Sequence, residues 1–328
     1  MRVAVIGAGP IGLACAWRLA QRGHDVTVHS DGRPGAYDAA AGMLAPVAEA
    51  AFGEHRLTDL LLASVRAWPG FAAELGADQI GFAESGSLLV GLTAGDQAEI
   101  ERYRSYQDSL GLPVTAMSAG ELRQREPALH PGVRAGAYTP IDAQVDPRRL
   151  VARLAFACRS SAVRVAGPVT ALSEVDADRI VVAAGCGTAA LTGLPIHPVR
   201  GETLRLRGGP RLTHMIRGYA HSRHVYLVPR ADGEIVIGAT SSEQTGAEPL
   251  AGGVYELLSD AIALVPEVRE AQFAGVSVGF RPATPDNLPI VERLRRNSGV
   301  IVAAGHYRNG IALTPWTAQQ VVSLVEAS

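Results

Sequence analysis

At 328 residues, 47% hydrophobic and with 36 glycines and 20 prolines, the chain can bury two cores and is too apolar to be disordered. Its net charge of −2 gives no electrostatic case for nucleic acid or an anionic membrane as partner. Cys15, Cys158 and Cys186 show no C-x-x-C spacing, which excludes a disulfide framework or zinc site and agrees with a reducing cytoplasm; no leader pattern precedes the first strand, and no apolar run approaches the roughly 20 residues of a membrane helix.

Met1-Arg2-Val3-Ala4-Val5-Ile6 is a β-branched run that leads into Gly7-Ala8-Gly9-Pro10-Ile11-Gly12 and an Ala/Leu-rich stretch, Leu13 to Arg22. The order is buried strand, tight turn, helix, and the turn reads G-x-G-x-x-G. In a dinucleotide site Gly7 makes the turn, Gly9 admits a pyrophosphate close to the backbone, and Gly12 lets the helix pack on the strand. The diphosphate would rest on the helix N-terminus, where free N–H groups and the dipole favour negative charge. A second strand, Asp25 to His29, follows on schedule. An acid for the ribose hydroxyls is expected at its end, but Ser30 stands there and Asp31 follows. Either Asp31 reaches the ribose or Ser30-Asp31-Gly32 is a surface turn.

Ala39 to Pro46 runs small residues into Gly42-Met43-Leu44, which suits backbone pressed against a flat group; an Ala-rich helix start is the alternative. Leu57 to Leu75 reads as a helix with Leu60, Leu61, Val65 and Trp68 on one face, interrupted or kinked at Pro69. Ser85 to Leu92 alternates as a strand, and Gly95 to Leu110 is a charged amphipathic helix. Ser118 with Glu121 forms a capping box for a short helix to Gln124, and Ala135 to Thr139 is a further strand. Asp146 and Pro147 are N-cap and first residue of a helix to about Cys158. Arg179 to Gly185 is a buried strand expected to rejoin the first sheet about 150 residues after the second strand. Such an excursion is how a substrate domain is inserted into a nucleotide-binding one.

From Arg200 the pattern turns antiparallel. Glu202 to Arg207 alternates, His224 to Pro229 pairs with Glu234 to Ala239 around Ala231-Asp232-Gly233, and Gly275 to Phe280 alternates again, with a helix from Val254 to Val265 between. Gly299 to Gly305 is a last buried strand. His306-Tyr307-Arg308-Asn309-Gly310 and a helix from about Thr314 follow, a second glycine-bracketed turn that offers N–H groups to a ligand.

Gly275-Val276-Ser277-Val278-Gly279 matches the nucleophile elbow of serine hydrolases but continues as strand where that elbow needs a helix. His221 and His224 have metal-ligand spacing without a nearby carboxylate or cysteine, so no metal is expected. His306 reads as a structural hydrogen-bonding group. Arg281 and Arg308 each follow a strand of buried pattern, and a buried guanidinium needs an anion. That anion is either a ligand carboxylate held bidentately or, in an ion pair, Asp286 or Glu202. Tyr226 adds a hydroxyl to such a site or simply packs.

Several stretches then occur in a telling order: Gly7 to Gly12, Ala39 to Pro46, Gln144-Val145-Asp146-Pro147, Tyr226-Leu227-Val228-Pro229-Arg230, Ile237-Gly238-Ala239-Thr240, Arg281 to Asp286, and Gly305 to Gly310. Together they resemble the D-amino acid oxidase family of FAD enzymes, and within it the glycine oxidases of thiamine biosynthesis, nearly end to end. The resemblance implies an α/β fold with a GR2-type Rossmann-like FAD-binding domain, residues 1–80, 143–199 and 276–328, and an inserted mixed, largely antiparallel α+β substrate domain, residues 81–142 and 200–275. It implies noncovalent FAD, because no cysteine stands near Gly279, where the related monomeric sarcosine oxidases tether their flavin.

On this resemblance the cofactor contacts are Gly7, Gly9, Pro10, Ile11 and Gly12 at the pyrophosphate, Ser30 or Asp31 at the ribose, and Ala184 and Gly185. Around the isoalloxazine they are Ala41, Gly42, Met43, Leu44 and the run Gly305, His306, Tyr307, Arg308, Asn309, Gly310, Ile311. Arg281 would bind the substrate carboxylate, with Tyr226 and Arg308 beside it. Ser241 stands where the best-known glycine oxidases carry a methionine, which points to a larger or more polar substrate such as an N-substituted glycine. The implied reaction passes a hydride from the α-carbon to flavin N5, reduces O2 to H2O2 and leaves an imine that becomes glyoxylate or enters thiazole synthesis. Electron transfer to a quinone or carrier, or a different secondary amine as substrate, is the alternative. A cytoplasmic homotetramer is implied as well.

Overall fold

The computed structural model describes residues 1–327. Arg2–Ile6 pairs in parallel with Asp25–His29 on one side and Arg179–Val182 on the other. The full sheet has six strands in the order Ile290–Leu294, Asn297–Ala304, Arg179–Val182, Arg2–Ile6, Asp25–His29, Arg164–Ala166, and only the first is antiparallel to its neighbour. Val3, Ala4, Val5 and Ile6 are all buried, as a parallel sheet covered on both faces requires. Helices Pro10–Gln21, His55–Leu75, Pro147–Ser160 and Thr314–Glu326 share its largest core. Asp146 caps the third of these, its carboxylate accepting from the backbone N–H of Arg148 and Arg149.

Of the two effects considered for Pro69, interruption does not occur; the helix is continuous from His55 to Leu75. Buried aromatics hold it on both sides of the proline. Trp68 donates its indole N–H to Ala312 O at 2.9 Å, and Phe71 lies edge-on between Trp17 and Trp68.

The second sheet has eight strands in the order Gln272–Ala283, His197–Arg207, Ile235–Gly238, Arg223–Pro229, Met215–Ala220, Ser87–Gly91, Ala135–Thr139, Thr115–Ser118. All pairings are antiparallel except Met215–Ala220 with Ser87–Gly91. The strands that run past residues 199/200 and 275/276 belong along their whole length to this sheet. One face packs on helix Ala251–Leu264, where Leu204, Leu227 and Ile237 meet Leu257, Ala261 and Leu264. The other face carries Arg217, Tyr226 and Gly238 in one row, set by the registers Arg217↔Tyr226 and Tyr226↔Gly238. A two-stranded ribbon, Met43–Leu44 against Ala143–Gln144, takes the place of an Ala-rich helix there, after a single helical turn Ala36–Ala39.

Candidate active site

One cavity of about 1580 Å³ is lined from the C-terminal ends of the parallel strands and from that row on the larger sheet. It exceeds the roughly 300–1,000 Å³ of a drug-sized ligand site, so it can hold an extended dinucleotide and a small substrate together. The carboxyl ends of parallel strands are where open α/β sheets bind ligands.

At the nucleotide end the three glycines divide their work. A Cβ on Gly7, whose φ is +115°, would lie 2.3 Å from Ala183 O, and one on Gly12 would lie 1.9 Å from Gly7 O. A Cβ on Gly9 would meet nothing within 4 Å. Gly7 and Gly12 are therefore fixed by packing, whereas Gly9 opens the cavity to the N-terminus of Pro10–Gln21, which has no side-chain cap and no acid in its first turn. Gly7, Gly9, Pro10 and Ile11 line the cavity; Gly12 lies behind the turn and does not. This cradle fits a diphosphate. Ser30 and Asp31 also line it, but both are engaged locally: Ser30 Oγ accepts from Gly32 N at 3.1 Å and Asp31 Oδ1 from Arg33 N at 3.0 Å.

Farther along, Ala41, Gly42 and Met43 line the wall, as do Ala184 and Gly185. Leu44 does not: fully buried, it belongs to the parallel-sheet core, because successive ribbon residues face opposite ways. Gly42 is fixed by packing, since a Cβ there would lie 2.0 Å from Val145 O. Arg230 holds this wall in place. Its Nη1 donates to Gln144 Oε1 at 2.9 Å and to Val145 O at 3.1 Å, and its Nη2 donates to Ala41 O. Burial lowers its pKa to about 10, which keeps it charged at neutral pH. Arg148 does the same for the turn Ala36–Ala39, bridging Asp38 (2.8 Å) and Ser277 Oγ (2.8 Å). Ser277 thus sits inside a strand as a hydrogen-bond acceptor, with no nucleophile elbow around it.

In the C-terminal loop His306, Tyr307, Arg308, Asn309, Gly310 and Ile311 line the cavity, but Gly305 turns its φ of +74° against Thr284 instead. His306 is buried and bonded through Nε2 to Thr317 Oγ1 at 2.9 Å; burial pushes its imidazole down to about 3, so it is neutral. Tyr307 holds φ +47°, in the left-handed region that side chains disfavour. Arg308 is exposed, contrary to the buried setting its strand suggests. The single turn Tyr307–Asn309 carries it out of the core, and its guanidinium lies over the Tyr307 ring.

Arg281 is half-buried in the strand Gln272–Ala283 and has no carboxylate partner among the described residues. Its Nη1 and Nη2 donate to Thr240 O and Arg200 O. Neither acid considered from sequence meets it: Glu202 pairs with Arg200 at 2.8 Å and Asp286 accepts from Leu288 N. Tyr226 and Ser241 line the same cavity. Burial, against the pull of Arg281, raises the Tyr226 phenol to about 12, so its hydroxyl keeps its proton. Room for both groups comes from two glycines without a local signal: a Cβ on Gly201 would lie 2.3 Å from the Arg281 guanidinium, and one on Gly238 would lie 2.2 Å from Tyr226 Oη.

Glu49 and Arg217 are a further pair at this end that sequence reasoning missed. His224 is open to the cavity and enclosed by protein on its other sides. Desolvation on the protein side, with Arg217 beside it, lowers its imidazole pKa from the usual value. His221 instead bonds Asp260 at 2.8 Å, and no cluster of three or more metal-ligating side chains exists among the described residues.

A glycine turn at the strand ends, a cavity of dinucleotide size and, among the described residues, a guanidinium in its wall without a carboxylate partner fit an enzyme that holds a nucleotide cofactor beside an anionic substrate. The family model for DAO, the FAD dependent oxidoreductases, matches residues 2–324, and the chain belongs to that family. It is 35% identical to a glycine oxidase of Geobacillus kaustophilus (strain HTA426) over 99% of this chain and 92% of that one. It is 33% identical to a putative thiamine biosynthesis oxidoreductase ThiO of Rhizobium etli (strain ATCC 51251 / DSM 11541 / JCM 21823 / NBRC 15573 / CFN 42), covering 98% and 95% of the two chains. The crystal structure of glycine oxidase from Geobacillus kaustophilus superimposes with a TM-score of 0.91 at 33% identity, over 99% of this chain and 95% of that one.

Proposed function

We propose that the chain oxidises glycine or a small N-substituted glycine at its α-carbon, with O2 as final acceptor and water hydrolysing the resulting imine, giving glyoxylate, ammonia or the substituent's amine, and H2O2. The observation that carries this reading is Arg281, a guanidinium without a carboxylate partner among the described residues, beside a protonated Tyr226 in the cofactor cavity. Bound FAD supplies the two-electron acceptor. The chain's contribution is to hold and orient: Arg281 fixes the substrate carboxylate, and Tyr226 donates a hydroxyl to it. His306 is buried and neutral and offers no base to the substrate, so the amine has to arrive unprotonated or lose its proton to solvent. Ser241 in the wall leaves space and polarity for an N-substituent.

The names of the relatives support glycine as substrate and thiamine synthesis as setting. Unpaired Cys15, Cys158 and Cys186 agree with a reducing cytoplasm. The edge strand Gln272–Ala283, with Phe273 52% exposed, supports a homo-oligomer, which light scattering would count in units of 34.3 kDa.

The test is anaerobic mixing of the purified yellow protein with glycine or sarcosine. Bleaching of the flavin band, followed by peroxide on admitting air, is expected. A flavin that stays oxidised with both amines removes the proposal. Reduction without peroxide yield moves the acceptor from O2 to a carrier.

A further inference from the structure

Among the described residues Arg281 rests on carbonyls alone. Nη1 donates to Arg200 O at 3.4 Å and Thr240 O at 3.2 Å, and Nη2 donates to Thr240 O at 3.3 Å. A guanidinium has five N–H donors, so these bonds leave free the Nε–H and one Nη2–H, the edge that meets a carboxylate bidentately. The aim of that edge depends on where Thr240 O is held.

Thr240 is tied to Glu202 three times. Its N–H donates to Glu202 O at 3.2 Å, its Oγ1 accepts from Glu202 N at 2.8 Å, and the same hydroxyl donates to Glu202 Oε2 at 3.3 Å. Glu202 Oε1 in turn accepts from Arg200 Nη2 at 2.8 Å and from Leu250 N at 2.7 Å. Arg200 finishes the circuit by donating to Gly246 O at 2.7 Å and Glu248 O at 2.5 Å, while its backbone bridges Ser242 in both directions. Both side chains of the ion pair are 1% exposed, whereas the segment from Ser241 to Leu250 that they hold is largely at the surface. Ser241 and Ala247 of that segment line the cavity. A buried ion pair adds little to stability over an apolar pair of the same shape, so a role in fixing geometry accounts for it better.

We propose that Arg200 and Glu202 form a positioning pair: through Thr240 they set the Arg281 fork, and through Gly246 and Glu248 they hold the wall that limits the substrate's N-substituent. The proposal rests on the carboxylate role given to Arg281 above, and deepens it by naming what tunes affinity at that site.

A double-mutant cycle on the FAD-loaded protein tests it, with acetate as the carboxylate probe and its Kd read by calorimetry. Glu202→Gln removes the charge and keeps the shape; Thr240→Val, the milder change, removes only the bridging hydroxyl. Each is expected to raise the acetate Kd roughly tenfold beside Arg281, the size of one charge-assisted hydrogen bond. Beside Arg281→Lys, which keeps a charge but not the fork, the rise should be no more than about twofold. KM for glycine should rise more than kcat falls. Equal changes in both backgrounds, or an unchanged Kd with only a lower melting temperature, overturn the proposal and leave the pair structural. An acetate Kd that Arg281→Lys does not alter removes the carboxylate role itself, and the positioning role with it.

Discussion

Arg217 meets Glu49 at 2.8 Å across the cavity, joining the larger sheet to the loop that follows Met43–Leu44. Strand register sets Arg217 directly opposite Tyr226, so the pair lies one strand away from the substrate hydroxyl donor. Burial opposes ionisation of Glu49, but Arg217 first and Arg308 second overcome it and hold the carboxyl below the usual range. The loop 45–54 is thus clamped to the floor by charge, with Gln107 Nε2 on Val47 O and Tyr106 Oη on Ala51 O as neutral clamps beside it.

Removing one partner of this pair leaves the other charge poorly solvated. Arg217→Met should destabilise the protein by about 1–3 kcal/mol at pH 7, less than the roughly 3–5 kcal/mol of a fully buried pair because 21% of the Glu49 side chain stays exposed. Because the folded pKa of Glu49 lies below 4.5, the stabilisation is present above the unfolded value and is lost as pH falls through the folded one. Urea denaturation of wild type and variant at pH 7 and pH 4 checks both statements. A difference that does not shrink in acid would mean that the effect of Arg217 is packing alone.

Asp142 is expected to give the opposite pH dependence. Its Oδ2 accepts from Ser87 Oγ at 2.6 Å, its Oδ1 has no partner, and burial raises its pKa from 3.8 to about 7. The folded chain then keeps a proton that the unfolded chain releases near pH 4. Stability from this group is complete below that pH, declines as pH rises, and is fully lost above about 7. Asp142→Asn keeps an acceptor for Ser87 and removes the titration. Its stability relative to wild type should improve between pH 5 and pH 8 by about 2–4 kcal/mol. A constant difference across that range in guanidinium denaturation would rule the titration out.

Local grammar was readable from the chain wherever a few neighbouring residues decide the structure. The strand, glycine turn and helix from Arg2 to Gln21, the Asp146-Pro147 cap and the Ser118–Glu121 box all depend on contacts within one turn. The strand Met215–Ala220 was not readable, because Gly218 breaks its pattern. That glycine is required from outside, where a Cβ would lie 2.7 Å from Val90 O and Leu264 Cδ1. The short strands Arg164–Ala166 and Ile290–Leu294 sit at sheet edges and lack alternation for the same kind of reason. In the site, Arg281 stood out by the buried pattern of its strand, and the resemblance added the carboxylate role and the place of Tyr226 beside it. Gly201, Arg230 and the Glu49–Arg217 pair act through partners far away in sequence, which no local signal can name.

The glycines under the substrate end give a direct test of that geometry. Gly201→Ala puts a methyl 2.3 Å from the Arg281 guanidinium, and Gly238→Ala puts one 2.2 Å from Tyr226 Oη. Each should displace its side chain by about an ångström and raise KM for glycine roughly 10–100-fold, with flavin content unchanged. Steady-state kinetics at matched flavin loading decides the matter. Wild-type KM in Gly201→Ala would mean that Arg281 does not touch the substrate.

The three glycines of the nucleotide turn should separate by what each one faces. Gly7→Ala forces a Cβ to 2.3 Å from a backbone oxygen at a φ of +115°, and Gly12→Ala forces one to 1.9 Å from another. Both should destabilise the protein with or without cofactor, by more than about 1 kcal/mol each, because backbone has to move. Gly9→Ala meets no protein atom within 4 Å, so the FAD-free chain should melt as wild type does. Its methyl would stand in the path to the helix N-terminus, and flavin content after purification should fall at least about tenfold. Melting curves on flavin-stripped protein, set beside absorbance of the released flavin, distinguish the two behaviours. A Gly9→Ala chain that retains full FAD would move the diphosphate away from this turn.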